Sequence, residues 1–162
     1  MKMVFIKELI CTKCGFEVSN FVFNKESQDY DACTFEINSR KVIYRKAKIT
    51  PTKSGQFVTL WKRDENGVTL PLDSNDEIDL VVIDTLSANQ LGQFVFPRAV
   101  LVEKGILSNK RKEGKRGFRV YPLWDITTSK QAQKTQSWQL EYFLPYSKTI
   151  DINRAKRLYL QE

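Results

Sequence analysis

The sequence predicts a mixed α/β fold, with a sheet drawn from the middle of the chain and helices flanking it. Between residues 33 and 96, short runs rich in apolar, β-branched and aromatic residues are separated by turn-forming Asn, Asp and Gly. Helical patterns follow at 99–104, 129–143 and 153–160. A third observation bounds the domain count. The chain has 162 residues, 41 % of them apolar and ten of them Phe, enough for one core. No repeat, low-complexity tract or Pro/Gly-rich linker divides it, so residues 1–162 are read as a single domain.

The elements follow in order. Residues 16–30, with Phe16, Val18, Phe21 and Val22, show no clean period and are read as a helix and a loop. Strands are expected at 34–37 and 41–49, around the hairpin-like turn Asn38-Ser39-Arg40. Residues 56–62 combine β-branched and aromatic side chains, and Asp64-Glu65-Asn66-Gly67 then turns the chain into 68–72. The nearly continuous apolar run 78–83 predicts a central strand buried on both faces. Another strand covers 92–96 and stops at Pro97. A short helix at 99–104 is closed by Gly105. A basic loop spans 109–117, a strand 118–124, and a helix 129–143 has Ser129 as its N-cap. A last, basic helix covers 153–160.

One strand is informative face by face. Within 41–49, Ile43, Arg45, Ala47 and Ile49 fall on one side, opposite Val42, Tyr44, Lys46 and Lys48. Arg45 is therefore placed among apolar neighbours. An unpaired buried guanidinium costs several kcal/mol. The expectation is either an ion pair, with an acid such as Asp79, or a bound ligand.

Composition removes several kinds of chemistry. The chain has no histidine, so Ser-His-Asp and Cys-His catalysis and any His-ligated metal are excluded. Cys11-x-x-Cys14 could be half of a zinc knuckle, but such sites use four ligands and only Cys33 remains. The three cysteines are read as reduced thiols, with no metal site. No apolar run approaches the ~20 residues of a membrane span. Met3-Val4-Phe5-Ile6, broken by Lys7 and Glu8, is too short for a signal-peptide core. A cytoplasmic location is expected, with no membrane partner.

The net charge of +7 is unevenly placed. Residues 40–63 hold eight basic side chains and no acid, residues 64–84 seven acids and no base, and residues 104–119 seven bases against Glu113 alone. Like charges repel, so such blocks are tolerated best where a polyanion or the acidic block neutralises them. Phosphate is the commonest polyanion partner, because each contact also releases a counterion. Nucleic acid, DNA in the first place, is the expected partner; the alternative is a solvated face with internal ion pairs.

Five motifs in order resemble the MepB family of small bacterial proteins. They are Arg45-x-Ala47-Lys48-Ile49-Thr50-Pro51 and Gly55-Gln56-Phe57-Val58-Thr59-Leu60-Trp61-Lys62-Arg63; Gly92-Gln93-Phe94-Val95-Phe96-Pro97; then Lys115-Arg116-Gly117-Phe118-Arg119-Val120-Tyr121-Pro122 and Gln131-Ala132-x-x-Thr135-Gln136-x-Trp138-Gln139. The match covers about residues 34–143. The resemblance implies a restriction-endonuclease-like fold, a mixed sheet flanked by helices, and no settled activity.

Nucleases of that fold place an Asp near one strand end and Asp/Glu-x-Lys on the next strand, holding Mg²⁺. By that pattern Asp79 stands for the first carboxylate, Gln93 for the second and Val95 for the Lys. Glu113-Gly114-Lys115 is a literal Glu-x-Lys in a loop, and Glu36 is a further carboxylate that could complete the site. Asp79, Gln93 and Glu113 are thus the candidate catalytic positions of a degenerate site.

Three readings result. The first is nucleic-acid binding without strong catalysis or a required cofactor, with Arg45, Lys48, Lys53, Lys115, Arg116 and Arg119 on phosphates and Tyr44, Tyr121 and Trp124 able to stack on bases. Gly114 and Gly117 would let the backbone approach the ligand. The second is a Mg²⁺-dependent nuclease. The third is a regulatory protein-interaction domain that uses the Gln-rich helix at 131–139.

Overall fold

The computed structural model describes residues 10–146 and 149–161. The early apolar run Met3-Val4-Phe5-Ile6 lies outside the described residues.

The frame is a mixed six-stranded sheet in the order β1-β2-β3-β8-β9-β11. Its strands are β1 (Val18–Phe23), β2 (Cys33–Ile37), β3 (Arg40–Lys46), β8 (Leu80–Ser87), β9 (Gln90–Pro97) and β11 (Phe143–Tyr146). Only β3 and β8 run parallel; every other neighbour is antiparallel. Asn38 and Ser39 both take left-handed φ, 46° and 70°, which the tight β2–β3 hairpin requires.

Between β3 and β8 the chain makes smaller strands: β4 (Lys48–Ile49), β5 (Gln56–Thr59), β6 (Trp61–Arg63) and β7 (Thr69–Pro71). A further strand, β10 (Gly117–Val120), pairs with β5 to give a second sheet of order β10-β5-β4. The helices are the single turn α1 (Thr12–Cys14), α2 (Arg98–Glu103), α3 (Lys130–Gln139) and α4 (Ile152–Leu160).

Alternation along the central strands builds two cores. Val42, Tyr44, Leu80, Val82 and Val95 face α1 and α4, with Ala155 and Tyr159 packed on them. Val81, Ile83, Phe94 and Phe96 face the other way, against α2 and the second sheet. A strand buried on both sides needs apolar residues at successive positions, as Leu80, Val81, Val82 and Ile83 supply. The expected mixed α/β sheet with helices on its faces is present.

Several element boundaries differ from the sequence reading. Part of residues 16–30 is strand β1 rather than helix, paired with β2 through a bulge between Ser19 and Val22. The strand expected at 41–49 breaks at Ala47, whose N–H bonds to the Asp84 carbonyl, and Lys48 and Ile49 leave for the second sheet. Ile49 is consequently exposed, not on the apolar face with Arg45. The run 56–62 splits at Leu60 into β5 and β6. The helix expected over 129–143 ends earlier, and Phe143 begins β11, where its ring covers Gly92.

Candidate nucleic-acid interface

Two polar centres stand out, one closed and one open. The closed one lies where β8 and β9 run side by side. Asp84 and Gln93 are directly opposite in register. Asp84 accepts from the Tyr44 hydroxyl at 2.5 Å and from Gln93 Nε2 at 2.7 Å. Gln93 Oε1 in turn accepts from the Tyr159 hydroxyl of α4. Burial pushes the Asp84 carboxyl up to about 6, with these two donors and Lys46 pulling the other way. Burial likewise drives Tyr44 and Tyr159 far up, so both stay protonated donors.

This arrangement does not suit a divalent cation. Mg²⁺ takes oxygen ligands, carboxylates foremost. The network brings one carboxylate, both of whose oxygens already accept hydrogen bonds, and Gln93 is turned with its oxygen toward Tyr159. Among the described residues no three Asp, Glu, Cys or His side chains converge on one point.

The sequence-derived catalytic positions do not meet. Asp79 precedes β8 by one residue, and its carboxylate accepts from the Lys41 N–H at 2.8 Å. Gln93 lies abreast of Asp84, five residues further along, so at ~3.3 Å per residue the two are about 16 Å apart along the sheet. Glu113 is exposed in the loop before β10 and pairs with Arg116 at 3.4 Å. Glu36 lies on β2 and accepts from Asn20.

Arg45 is 3 % exposed, as its face predicted, but Asp79 is not its partner. One guanidinium nitrogen donates to the Tyr44 carbonyl at 2.8 Å, and Nε has no partner. Burial lowers its pKa to about 10. A side chain so enclosed is out of reach of a phosphate.

The open centre is a groove of about 310 Å³ between β10 and α3. Lys104, Lys115 and Arg119 line it, with Tyr121 and Trp138, and no carboxylate among the described residues does. The lysines come from the two ends of a tightly folded loop. Asn109 Oδ1 accepts from the Arg111 and Lys112 N–H groups, and the Lys115 N–H bonds to the Ile106 carbonyl at 2.9 Å. Gly114 makes this possible, because a Cβ there would lie 2.3 Å from the Ile106 oxygen. A Cβ on Gly117 would lie 2.6 Å from the Phe57 ring. Both glycines are needed for close packing within the protein, and Gly117 also lines the groove.

Helix α3 closes the other wall through its glutamines. Ser129 caps it, accepting from the Ala132 N–H. Gln139, fully buried, donates to the Arg119 carbonyl at 3.0 Å and accepts from the Tyr121 N–H at 2.8 Å, completing the free edge of β10. Gln136 donates to the Pro122 and Asp125 carbonyls. Their amides are thus engaged inside the protein, whereas a partner-binding helix would present them outward. Gln131, Thr135 and Trp138, spaced along one side of the helix, line the groove instead.

The remaining basic candidates divide. On the second sheet Lys48 and Arg119 stand abreast of Phe57, one from each side. Lys48 Nζ sits 4.8 Å over the Tyr30 ring, and Arg119 donates to Thr50 Oγ1 at 2.9 Å and the Ser54 carbonyl at 3.2 Å. Lys53 is exposed in the loop between β4 and β5. Arg116 turns away to Thr69, donating to its carbonyl at 2.9 Å. Of the stacking candidates, Tyr44 is in the core, Trp124 packs edge-on against Phe143, and Tyr121 lines the groove.

The sequence reading missed Asp84, Lys104 and Trp138. Asp84 had a signal: a lone acid ending an apolar strand, with Gln93 at the matching place in the next. Lys104 and Trp138 had none, since only the fold brings them together, with Lys104 Nζ 5.4 Å over the indole.

Fold and groove together define a small mixed α/β protein with a basic cleft. The chain belongs to the MepB-like family, whose model matches residues 24–145. It is similar to the crystal structure of MepB, at 42 % identity and a TM-score of 0.79, over 82 % of this chain and 89 % of that one. A bacterial homing endonuclease structure is more distant, at 14 % identity and a TM-score of 0.44, over 80 % of this chain and 81 % of that one. No curated protein matches the chain.

Proposed function

We propose that this protein binds nucleic acid, DNA in the first place, through its phosphates, on a restriction-endonuclease-like frame that does not cleave. The observation that carries the reading is the groove, lined by Lys104, Lys115 and Arg119 with no carboxylate among its described lining residues. An opening of that kind favours anions, and repeated phosphates let several cations act at once. Lys48 and Lys53 extend the basic surface across the second sheet.

The absence of cleavage is argued from the donor set at Asp84 and Gln93, where hydrogen bonds already occupy the oxygens a metal would need. Binding on this reading needs no Mg²⁺. The test is a DNA-binding titration with and without Mg²⁺, followed by gel analysis of the recovered DNA. Binding equal in both conditions, with intact DNA, is the expected result. Robust cleavage that disappears in Asp84→Asn, with folding retained, would replace this reading with the nuclease one.

A further inference from the structure

The groove has features that a general phosphate-binding surface does not need. Its volume of about 310 Å³ is at the small end of the 300–1,000 Å³ typical of small-molecule sites. Phosphates on opposite sides of a duplex groove are separated by about 12 Å, and a pocket of this size admits no duplex. One nucleotide is a better match.

The lining matches the phosphate and the base of a nucleotide. Lys104 and Lys115 supply charge for the phosphate. Trp138 supplies a ring, and its Phe96 neighbour, 5.5 Å away at 49°, holds it from behind. Gln131 and Thr135 bring an amide and a hydroxyl to the same wall, and neither side chain has a hydrogen-bond partner among the described residues. Those groups suit the edge of a base, while Gln136 and Gln139 on the same helix are fully engaged. Lys104 rests over the Trp138 ring, so a phosphate that attracts the ammonium uncovers the indole.

We propose that this groove receives a single unpaired nucleotide of a nucleic-acid strand, its phosphate against Lys104 and Lys115 and its base against Trp138 and Gln131. The protein then prefers single strands and frayed ends to closed duplex. This rests on the nucleic-acid reading above and adds the strand form to it.

The experiment uses the full chain and three probes: a labelled single-stranded thymine oligonucleotide, a closed hairpin duplex of equal charge, and free thymidine monophosphate as competitor. The single strand is expected to bind about tenfold or more tighter than the duplex, the scale of one base–aromatic stack. Trp138→Ala and the double variant Gln131→Ala/Thr135→Ala are each expected to lose that preference. Since Trp138 also packs on Phe96, the exposed Gln131 keeps the test valid if the Trp variant misfolds. The single strand should change indole emission in wild type and in Trp61→Phe, and not in Trp138→Phe. Equal binding of both forms, or a preference unaltered by the double variant, overturns this inference and leaves nucleic-acid binding standing. Displacement by the free nucleotide at oligonucleotide-like concentrations overturns the strand assignment. Failure of both strand forms to bind at low salt overturns the function itself.

Discussion

Residues 40–63 and 104–119 carry eight and seven basic side chains, and the fold treats the two blocks differently. In the first, Lys41 pairs with Glu77 and Lys62 with Asp76, both acids of the block at 64–84, while Arg63 pairs with Glu26. Arg45 is buried and Arg40 donates to the Leu160 carbonyl. In the second, Arg116 pairs with Glu113, whereas Lys104 and Lys115 make no ion pair among the described residues. The lesson is that charge in a sequence measures potential, and the ion pairs of the fold decide what remains for a partner. Internal pairing takes up much of the first block, and the second keeps the cations that the proposed polyanion binding would use.

The same contrast holds for the closed network and the open groove, and its largest expected consequence is at Asp84. Replacement by Ala leaves the Tyr44 hydroxyl and the Gln93 amide buried without acceptors, at about 1–3 kcal/mol each. Urea unfolding should show a loss of about 2–6 kcal/mol, with nucleic-acid affinity unchanged in the folded fraction. A loss of affinity at unchanged stability would break the contrast. The carboxyl also gives a pH signature. Its folded pKa, about 6, lies above the ordinary 3.8, so the folded state holds the proton longer. This group therefore adds stability at low pH that is lost as pH rises from about 4 to about 6, at most about 3 kcal/mol. Asp84→Asn should remove that slope, seen in unfolding curves taken across the window.

Next in size is the groove. Reversing Lys104 and Lys115 together to Glu should weaken DNA binding on the order of 100-fold at low salt, with an unchanged melting temperature. A loss of folding would make these lysines structural and erase the distinction between the blocks. The smallest effect belongs to the first block. Lys62→Ala removes a half-exposed pair with Asp76, so stability should fall by under about 1 kcal/mol and DNA affinity should stay within about twofold. A large drop in affinity there would show that the ion-paired block also binds.

The sequence made much of the fold legible, because binary pattern reports burial directly. The nearly continuous apolar run 78–83 pointed to the doubly buried strand that starts at Leu80, and 153–160 showed the periodicity of the helix that became α4. Residues 16–30 were illegible because β1 is an edge strand whose exposed Phe21, Val22 and Phe23 break the alternation. The site was less visible, for a different reason. Asp79 fitted a motif by its order in the chain, but a strand register shifted by five residues decides which acid faces Gln93, and that register comes from pairing. Arg45 was read correctly as buried, since one strand's alternation suffices for that, yet its partner depends on other elements. Lys104 and Trp138 lie 34 residues apart and meet only because α2 packs on β9 and α3 on β10.

The most direct test of the central claim, that the second basic block holds most of the available charge, is the salt dependence of DNA affinity. Binding constants would be measured across a salt series for wild type, Lys115→Ala and Lys62→Ala. The wild-type slope should be steep, and Lys115→Ala should make it shallower by about one phosphate contact. Lys62→Ala should leave it unchanged. A slope reduced by Lys62→Ala and untouched by Lys115→Ala would contradict the account.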